Sequence, residues 1–159
     1  MKSVVIYQSF HHGNTEKVAK ALAQSLGAEL KKPGEVENLA GYDLIGLGSG
    51  IYFWHHHHTL LQIANKGVLS GKKVFIFSTA GFPVKFFGHF WIKRILKEKG
   101  AEIVGEFQCP GFDTYGILKK IGGMFRGRPS DKDLKNAREF ALNLKAGLDS
   151  AKDLKAKNE

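Results

Sequence analysis

The segment Tyr7-Gln8-Ser9-Phe10-His11-His12-Gly13-Asn14-Thr15 has the residue types of an anion site. It leaves a short β-branched run, Val4-Val5-Ile6-Tyr7, and enters a stretch with helical spacing. The first turn of a helix carries backbone N–H groups without intrahelical partners, and the helix dipole is positive there. Gly13 lets the backbone approach an anion closely. Ser9, Asn14 and Thr15 add short polar side chains that can donate to phosphate oxygens, and His11 and His12 lie in the same loop. Asn14 or Thr15 would equally serve as an ordinary helix cap with no ligand. The position directly after the first strand favours a ligand.

Two further segments could complete a site. Gly48-Ser49-Gly50-Ile51-Tyr52-Phe53-Trp54 brings three aromatics together, any of which could stack on a flat ring, although packing would also account for two of them. Ser78-Thr79-Ala80-Gly81-Phe82 offers small residues whose N–H groups could reach polar ring atoms. Phe86, Phe87 and Phe90 read as core, with Phe86 and Phe82 as other candidates for ring contact. His55-His56-His57-His58 could begin a helix near the anion. It lacks the cysteine or carboxylate pattern of a metal centre, so no metal is expected. Cys109 has no partner cysteine and reads as a small apolar residue.

The elements that must position these residues alternate. Expected strands are Val4–Tyr7, Ala28–Lys31, Leu44–Gly48, Lys73–Thr79 and Ile103–Cys109. Expected helices are Thr15–Leu26, Thr59–Leu69, Phe86–Lys99 and Lys132–Leu148. Phe87, Phe90, Trp91, Ile95 and Leu96 are expected to face inward on the third helix, and Leu134, Ala137, Ala141, Leu144 and Leu148 on the fourth. The central strands are apolar on both faces, as in a parallel sheet covered by helices on each side. Five such strands fit an α/β doubly wound sheet of order 2-1-3-4-5, with ligands at the strand ends where the order reverses. Residues 1–148 are expected to form one domain and residues 149–159 a polar tail that frays.

Lys and Arg total 24 against 15 Asp and Glu, a formal net charge of +9. Such a chain favours anionic ligands and partners. No zinc-finger or RNA-recognition signature accompanies the charge, so nucleic acid is not expected. Between Phe112 and Ser130, Ile117, Leu118, Ile121, Met124 and Phe125 fall at helical spacing among Lys119, Lys120, Arg126 and Arg128. The apolar face of this piece is expected to pack on the domain. Its charges are expected to meet an acidic protein in preference to a membrane. A lone cysteine and the lack of a signal-peptide pattern point to the cytoplasm.

Gly13-Asn14-Thr15, continued by Glu16, Val18 and Ala19, resembles the flavodoxin family, in which Ser/Thr-x-x-Gly-Asn-Thr after the first strand holds the phosphate of flavin mononucleotide (FMN). Ser9 lies one residue farther from Gly13 than in that pattern, and His11 and His12 stand where Thr or Ser is usual. The resemblance extends to the element order. It implies a flavodoxin-like fold and a non-covalent FMN held by Ser9, His11, His12, Gly13, Asn14 and Thr15. It places Gly50, Ile51, Tyr52, Phe53, Trp54, Thr79, Ala80, Gly81 and Phe82 around the ring. It further implies electron transfer, as a carrier or small oxidoreductase, with a redox partner protein or a quinone. Alternatives on the same fold are a quinone or protoporphyrinogen type of oxidase near a membrane and a flavin-free binding module. No G-x-G-x-x-G and no P-loop lysine follow the first strand, which argues against NAD and ATP. Typical flavodoxins are acidic. The basic loops here imply better support for an anionic reduced flavin.

Overall fold

The computed structural model describes residues 1–66, 69–81 and 85–158. The strands are β1 (Ser3–Gln8), β2 (Glu29–Lys31), β3 (Leu44–Tyr52), β4 (His55–His56), β5 (Lys73–Ala80) and β6 (Glu102–Pro110). The α-helices are α1 (Asn14–Leu26), α2 (His58–Lys66), α3 (Lys85–Glu98) and α4 (Asp131–Asn158). Short 3₁₀ turns lie at Pro33–Glu35 and Gly116–Ile121. Five strands pair in parallel in the order β2-β1-β3-β5-β6, the expected doubly wound order, and β4 folds back antiparallel on β3.

Alternation along the strands divides the core. Val5, Tyr7, Phe75, Phe77 and Phe107 meet α1 and α4 on one face. Val4, Ile6, Ile45, Leu47, Val74 and Ile76 meet residues of α2 and α3 on the other. Two strand glycines make this packing possible. A Cβ on Gly46 would lie 2.3 Å from Phe75 Cζ, and one on Gly48 would lie 2.3 Å from Phe77 Cζ. The phenyl rings of β5 therefore occupy the volume that β3 leaves empty.

Three expectations change. In α3 the buried positions among the described residues are Gly88, His89, Ile92 and Leu96, while Phe90 is 48% and Trp91 42% exposed. The polar His89 can take a core position because both ring nitrogens have partners. Its Nδ1–H donates to Glu106 at 2.9 Å, and its Nε2 shares a hydrogen bond of 2.8 Å with the Ser78 hydroxyl. The side chains of Lys85, Phe86 and Phe87 lie outside the described set, as do residues 67 and 68 of the expected second helix. Second, α4 continues to Asn158 instead of fraying after Leu148. No glycine or proline follows Gly147, and the Ala, Leu and Lys of this stretch favour helix. Third, Gly116–Ile121 is a 3₁₀ turn ended by Gly122 at φ 83°, so the expected apolar stripe breaks and Ile121 is 72% exposed. Ile117 lies outside the described side chains. At the start of α4, Ser130 caps as expected. Its backbone N–H donates to Asp133 at 2.7 Å.

A polar row crosses the sheet just before the strand ends, where Ser49, Ser78 and Gln108 stand in register. Gln108 donates to Ser78 at 2.8 Å, and the Ser49 hydroxyl contacts His56 Nδ1 at 3.1 Å. Glu106 is also paired with Lys93. Burial works against the Glu106 carboxylate, but the bonds from Lys93 and His89 outweigh it and hold the group below its usual range. His56 is buried beside His89, with ring centroids 5.2 Å apart, and its Nε2 has no hydrogen-bond partner among the described residues. Burial, and then the neighbouring His89, push its pKa well below the ordinary value.

Two outcomes follow from this packing. Gly48→Ala forces a methyl into the Phe77 ring and should lower stability by about 1–3 kcal/mol in urea unfolding. Combining it with Phe77→Leu should cost less than the sum of the single changes, and strict additivity would mean that the ring is not the obstacle. The second outcome concerns pH. Below about pH 6.5 the unfolded chain protonates His56 while the folded chain resists. Stability should be fully present above that pH and fall as pH drops, by at most about 1.4 kcal/mol per pH unit for this group. Urea midpoints from pH 8 to 5 should show a shallower fall in His56→Gln. Equal slopes would assign the fall to other groups.

Candidate functional site

The C-terminal ends of β1, β3 and β5 converge where the strand order reverses, and a cleft of about 180 Å³ opens there. The β1–α1 loop supplies Ser9, Phe10, His11, Asn14 and Thr15. The end of β3 and its turn supply Gly50, Ile51, Tyr52 and Phe53, and the end of β5 supplies Thr79, Ala80 and Gly81. The loop after β6 closes the wall with Gly111, Phe112, Asp113 and Tyr115.

Two hydrogen bonds hold these loops to the start of α1. The Thr15 and Thr79 hydroxyls share a buried bond of 2.8 Å. Asn14 Nδ2 donates to the Phe112 carbonyl at 2.8 Å. Gly13 caps the helix at φ 63°, a backbone conformation that glycine adopts without strain. Small residues are required along the walls. A Cβ on Gly111 would lie 2.9 Å from Asn14 Nδ2, and one on Gly81 would lie 2.4 Å from Asp113 Oδ2.

Polar capacity remains unused. The Ser9 hydroxyl and Asn14 Oδ1 are buried atoms without hydrogen-bond partners among the described residues. The opening turn of α1 adds the N–H groups that any helix start leaves unpaired. Burial, and then the charge of Asp113, raise the Tyr52 pKa, so its hydroxyl is neutral at the cleft wall. Burial, and then the neighbouring His58, lower the pKa of His57, whose ring contacts Phe10 at 4.7 Å between centroids. A helix start with unpaired N–H groups, a spare hydroxyl and an aromatic flank can take an anion joined to a flat ring.

Most of the residues expected at the site come together here. Of the remainder, His12 turns away from the cleft. Its Nε2 shares a 2.9 Å bond with the Thr114 hydroxyl, and its ring packs on Phe112. Gly13 shapes the turn without lining the cleft. Trp54 sits at the β3–β4 turn and is 50% exposed. Phe82 lies outside the described residues. The histidine run does not form one helical face. His55 and His56 pair with Tyr52 and Ile51 as β4, and α2 begins at His58. Among the described residues, no three His, Cys, Asp or Glu side chains are grouped to hold a metal ion. Cys109 is buried and its thiol pKa is pushed up to about 12, first by burial and then by Asp133, which makes it a poor nucleophile.

Phe10, Gly111, Phe112, Asp113 and Tyr115 were not among the expected site residues. The signal for the last four was their place just after the final strand, at the ligand end of the sheet. Phe10 had none beyond lying between two expected residues.

The chain is similar to known proteins over most of its length. A family model described as a flavodoxin domain matches residues 4–102. An uncharacterized protein of Methanocaldococcus jannaschii is 46% identical over 147 residues, covering 91% of this chain and 98% of that protein. The fold is shared with a flavodoxin from the domain Archaea, at TM-score 0.70 and 17% identity, covering 94% of this chain and 99% of that one. It is shared also with a Fusobacterium nucleatum flavodoxin crystallised with flavin mononucleotide, at TM-score 0.64 and 13% identity, covering 92% and 99%. The family match spans the first four parallel strands and the loops between them, and with the sheet order it establishes that this chain belongs to the flavodoxin family.

Proposed function

We propose that this protein binds one FMN non-covalently in the cleft and serves in electron transfer. The observation that carries this reading is the buried, unpartnered Ser9 hydroxyl beside the start of α1. A hydroxyl in that position is a donor waiting for an acceptor, and a terminal phosphate supplies acceptors together with the charge a helix start favours. The Fusobacterium relative in fold holds the same cofactor.

The residues present fit the group. Ser9 and the opening N–H groups of α1 would hold the phosphate, and the extra residue between Ser9 and Gly13 leaves the serine still lining the cleft. Asn14 Oδ1 would accept from a ligand hydroxyl. Tyr52 and Phe53 offer aromatic surface, and Phe10 and Tyr115 also line the cleft. FMN supplies one- and two-electron redox chemistry when bound. The chain's part is to orient the ring at the open end of the sheet and to present the neutral Tyr52 hydroxyl at the cleft wall.

Titration of the flavin-free protein with FMN, riboflavin and FAD tests the reading. FMN should bind tightest. Ser9→Ala should weaken FMN by about 1.5–3 kcal/mol, the contribution of a hydrogen bond to a charged group, and barely affect riboflavin. Its stability should stay near that of the parent, because the hydroxyl has no partner among the described residues. Equal losses for both flavins would remove the phosphate from this loop, and binding of none would sink the flavin reading.

A further inference from the structure

The charge of this protein is unevenly placed. No Asp or Glu precedes Glu16, none lies between Asp43 and Glu98, and none occurs from Thr114 to Ser130. These stretches contain the loops at the cleft mouth, where Asp113 is the sole carboxylate among the lining residues. Apart from Asp113, the acidic residues belong to α1, the β2 side of the sheet, the end of α3, β6 and α4, with Glu159 last in the sequence.

The same end carries aromatic groups in the open. Phe53 and Trp54 form the two-residue turn between β3 and β4, and both have positive φ, 47° and 68°. Phe53 is 77% exposed. Its ring meets Tyr115 at 5.9 Å, His55 stacks on Trp91 at 5.5 Å, and Trp91 meets Phe90 at 5.4 Å. Past Tyr115 the 3₁₀ turn presents exposed Ile121 beside Lys119 and Lys120, with Arg126 following. Both tryptophans of the chain are partly exposed, Trp54 at 50% in the turn and Trp91 at 42% against His55.

We propose that this face binds an anionic lipid surface, with the Phe53–Trp54 turn and Ile121 entering the interface and Lys119, Lys120 and Arg126 meeting the headgroups. Exposed Trp, Tyr and Phe flanked by Lys and Arg match the polarity of a bilayer interface. A second copy of the chain would bring two strongly basic faces together and is disfavoured by repulsion. An acidic protein would satisfy the charge. It would gain less from apolar groups raised on two separate turns, because a protein interface needs a complementary shape and a lipid interface does not. The sequence-based preference for an acidic protein took the apolar side chains of the 112–130 loop to be packed on the domain, and Ile121 is 72% exposed. The proposal concerns the rim of the cleft and does not depend on the flavin within it.

Co-sedimentation tests this on the full chain as purified and again after flavin removal. The vesicles are phosphatidylcholine alone or with about an equal part of phosphatidylglycerol. Binding is expected only to the anionic vesicles, alike in both protein forms, with a blue shift of tryptophan emission. It should weaken strongly from about 0.1 M to about 1 M NaCl, as the screening length falls from about 10 to about 3 Å. Phe53→Asn with Trp54→Gly removes the apolar tip while installing the residues this turn geometry prefers, so the variant should fold, which circular dichroism checks. That variant, and separately Lys119→Glu with Lys120→Glu, should each weaken binding at least about tenfold. Absence of binding to anionic vesicles overturns the proposal. So does binding without an emission shift that the turn variant leaves unchanged, which would be adsorption by charge alone. Retention on immobilised polyglutamate without vesicle binding would overturn it in favour of an acidic protein.

Discussion

The buried bond between the Thr15 and Thr79 hydroxyls ties the start of α1 to the end of β5, and the cleft is organised around it. Thr15 can reach Thr79 only because α1 follows β1 after a tight left-handed cap at Gly13. Asn14, one residue earlier, then meets the Phe112 carbonyl and draws in the loop after β6. Three loops are thus referred to one helix turn. That turn lies at the opening whose walls these two bonds join.

Beneath the cleft, the sheet changes from apolar to polar within one register step. Leu47, Gly48, Ile76 and Phe77 belong to the core, while Ser49, Ser78 and Gln108 follow directly. Buried hydroxyls and imidazoles at such a boundary must find partners, since each orphan group costs about 1–3 kcal/mol. The partners come from α3 and the β3–β4 hairpin: His89 to Ser78, and His56 to Ser49. The main-chain N–H of His57 also donates to Ser49, at 2.9 Å, which fixes the return of the hairpin toward α2. The same row that ends the core therefore positions the turn carrying Tyr52 and Phe53.

Much of this was legible in the sequence. The doubly apolar runs around Val5, Ile45 and Ile76 required helices on both faces, and the loop containing Gly13-Asn14-Thr15 could be assigned from residue types and position. Helices do cover both faces of the sheet, and the loop does lie at the cleft where the strand order reverses. What escaped was the orientation of α3. Phe90 and Trp91 are large and apolar, so hydrophobicity argued for burial. Their exposure follows from a pairing across the sheet, His89 with Ser78 and Glu106, that links residues distant in sequence. His12 escaped for a related reason. Its neighbour His11 lines the cleft, but at φ 56° the chain turns and delivers the His12 ring to Phe112 and Thr114. Residue type gave the chemistry, and only the backbone gave the direction.

The β3–β4 turn is the point at which folding and surface requirements part. Two consecutive left-handed residues suit Asn-Gly, and bulky aromatics at positive φ are strained, by roughly 1–3 kcal/mol each. Exposure of Phe53 also forfeits the stabilisation its burial would bring, so the fold loses twice at the same position. Nothing in the hairpin pairing requires those side chains, because Ile51 with His56 and Tyr52 with His55 form the ladder without them. Of the two turn residues, Phe53 lines the cleft and Trp54 does not. Trp54 thus adds strain without lining the cleft.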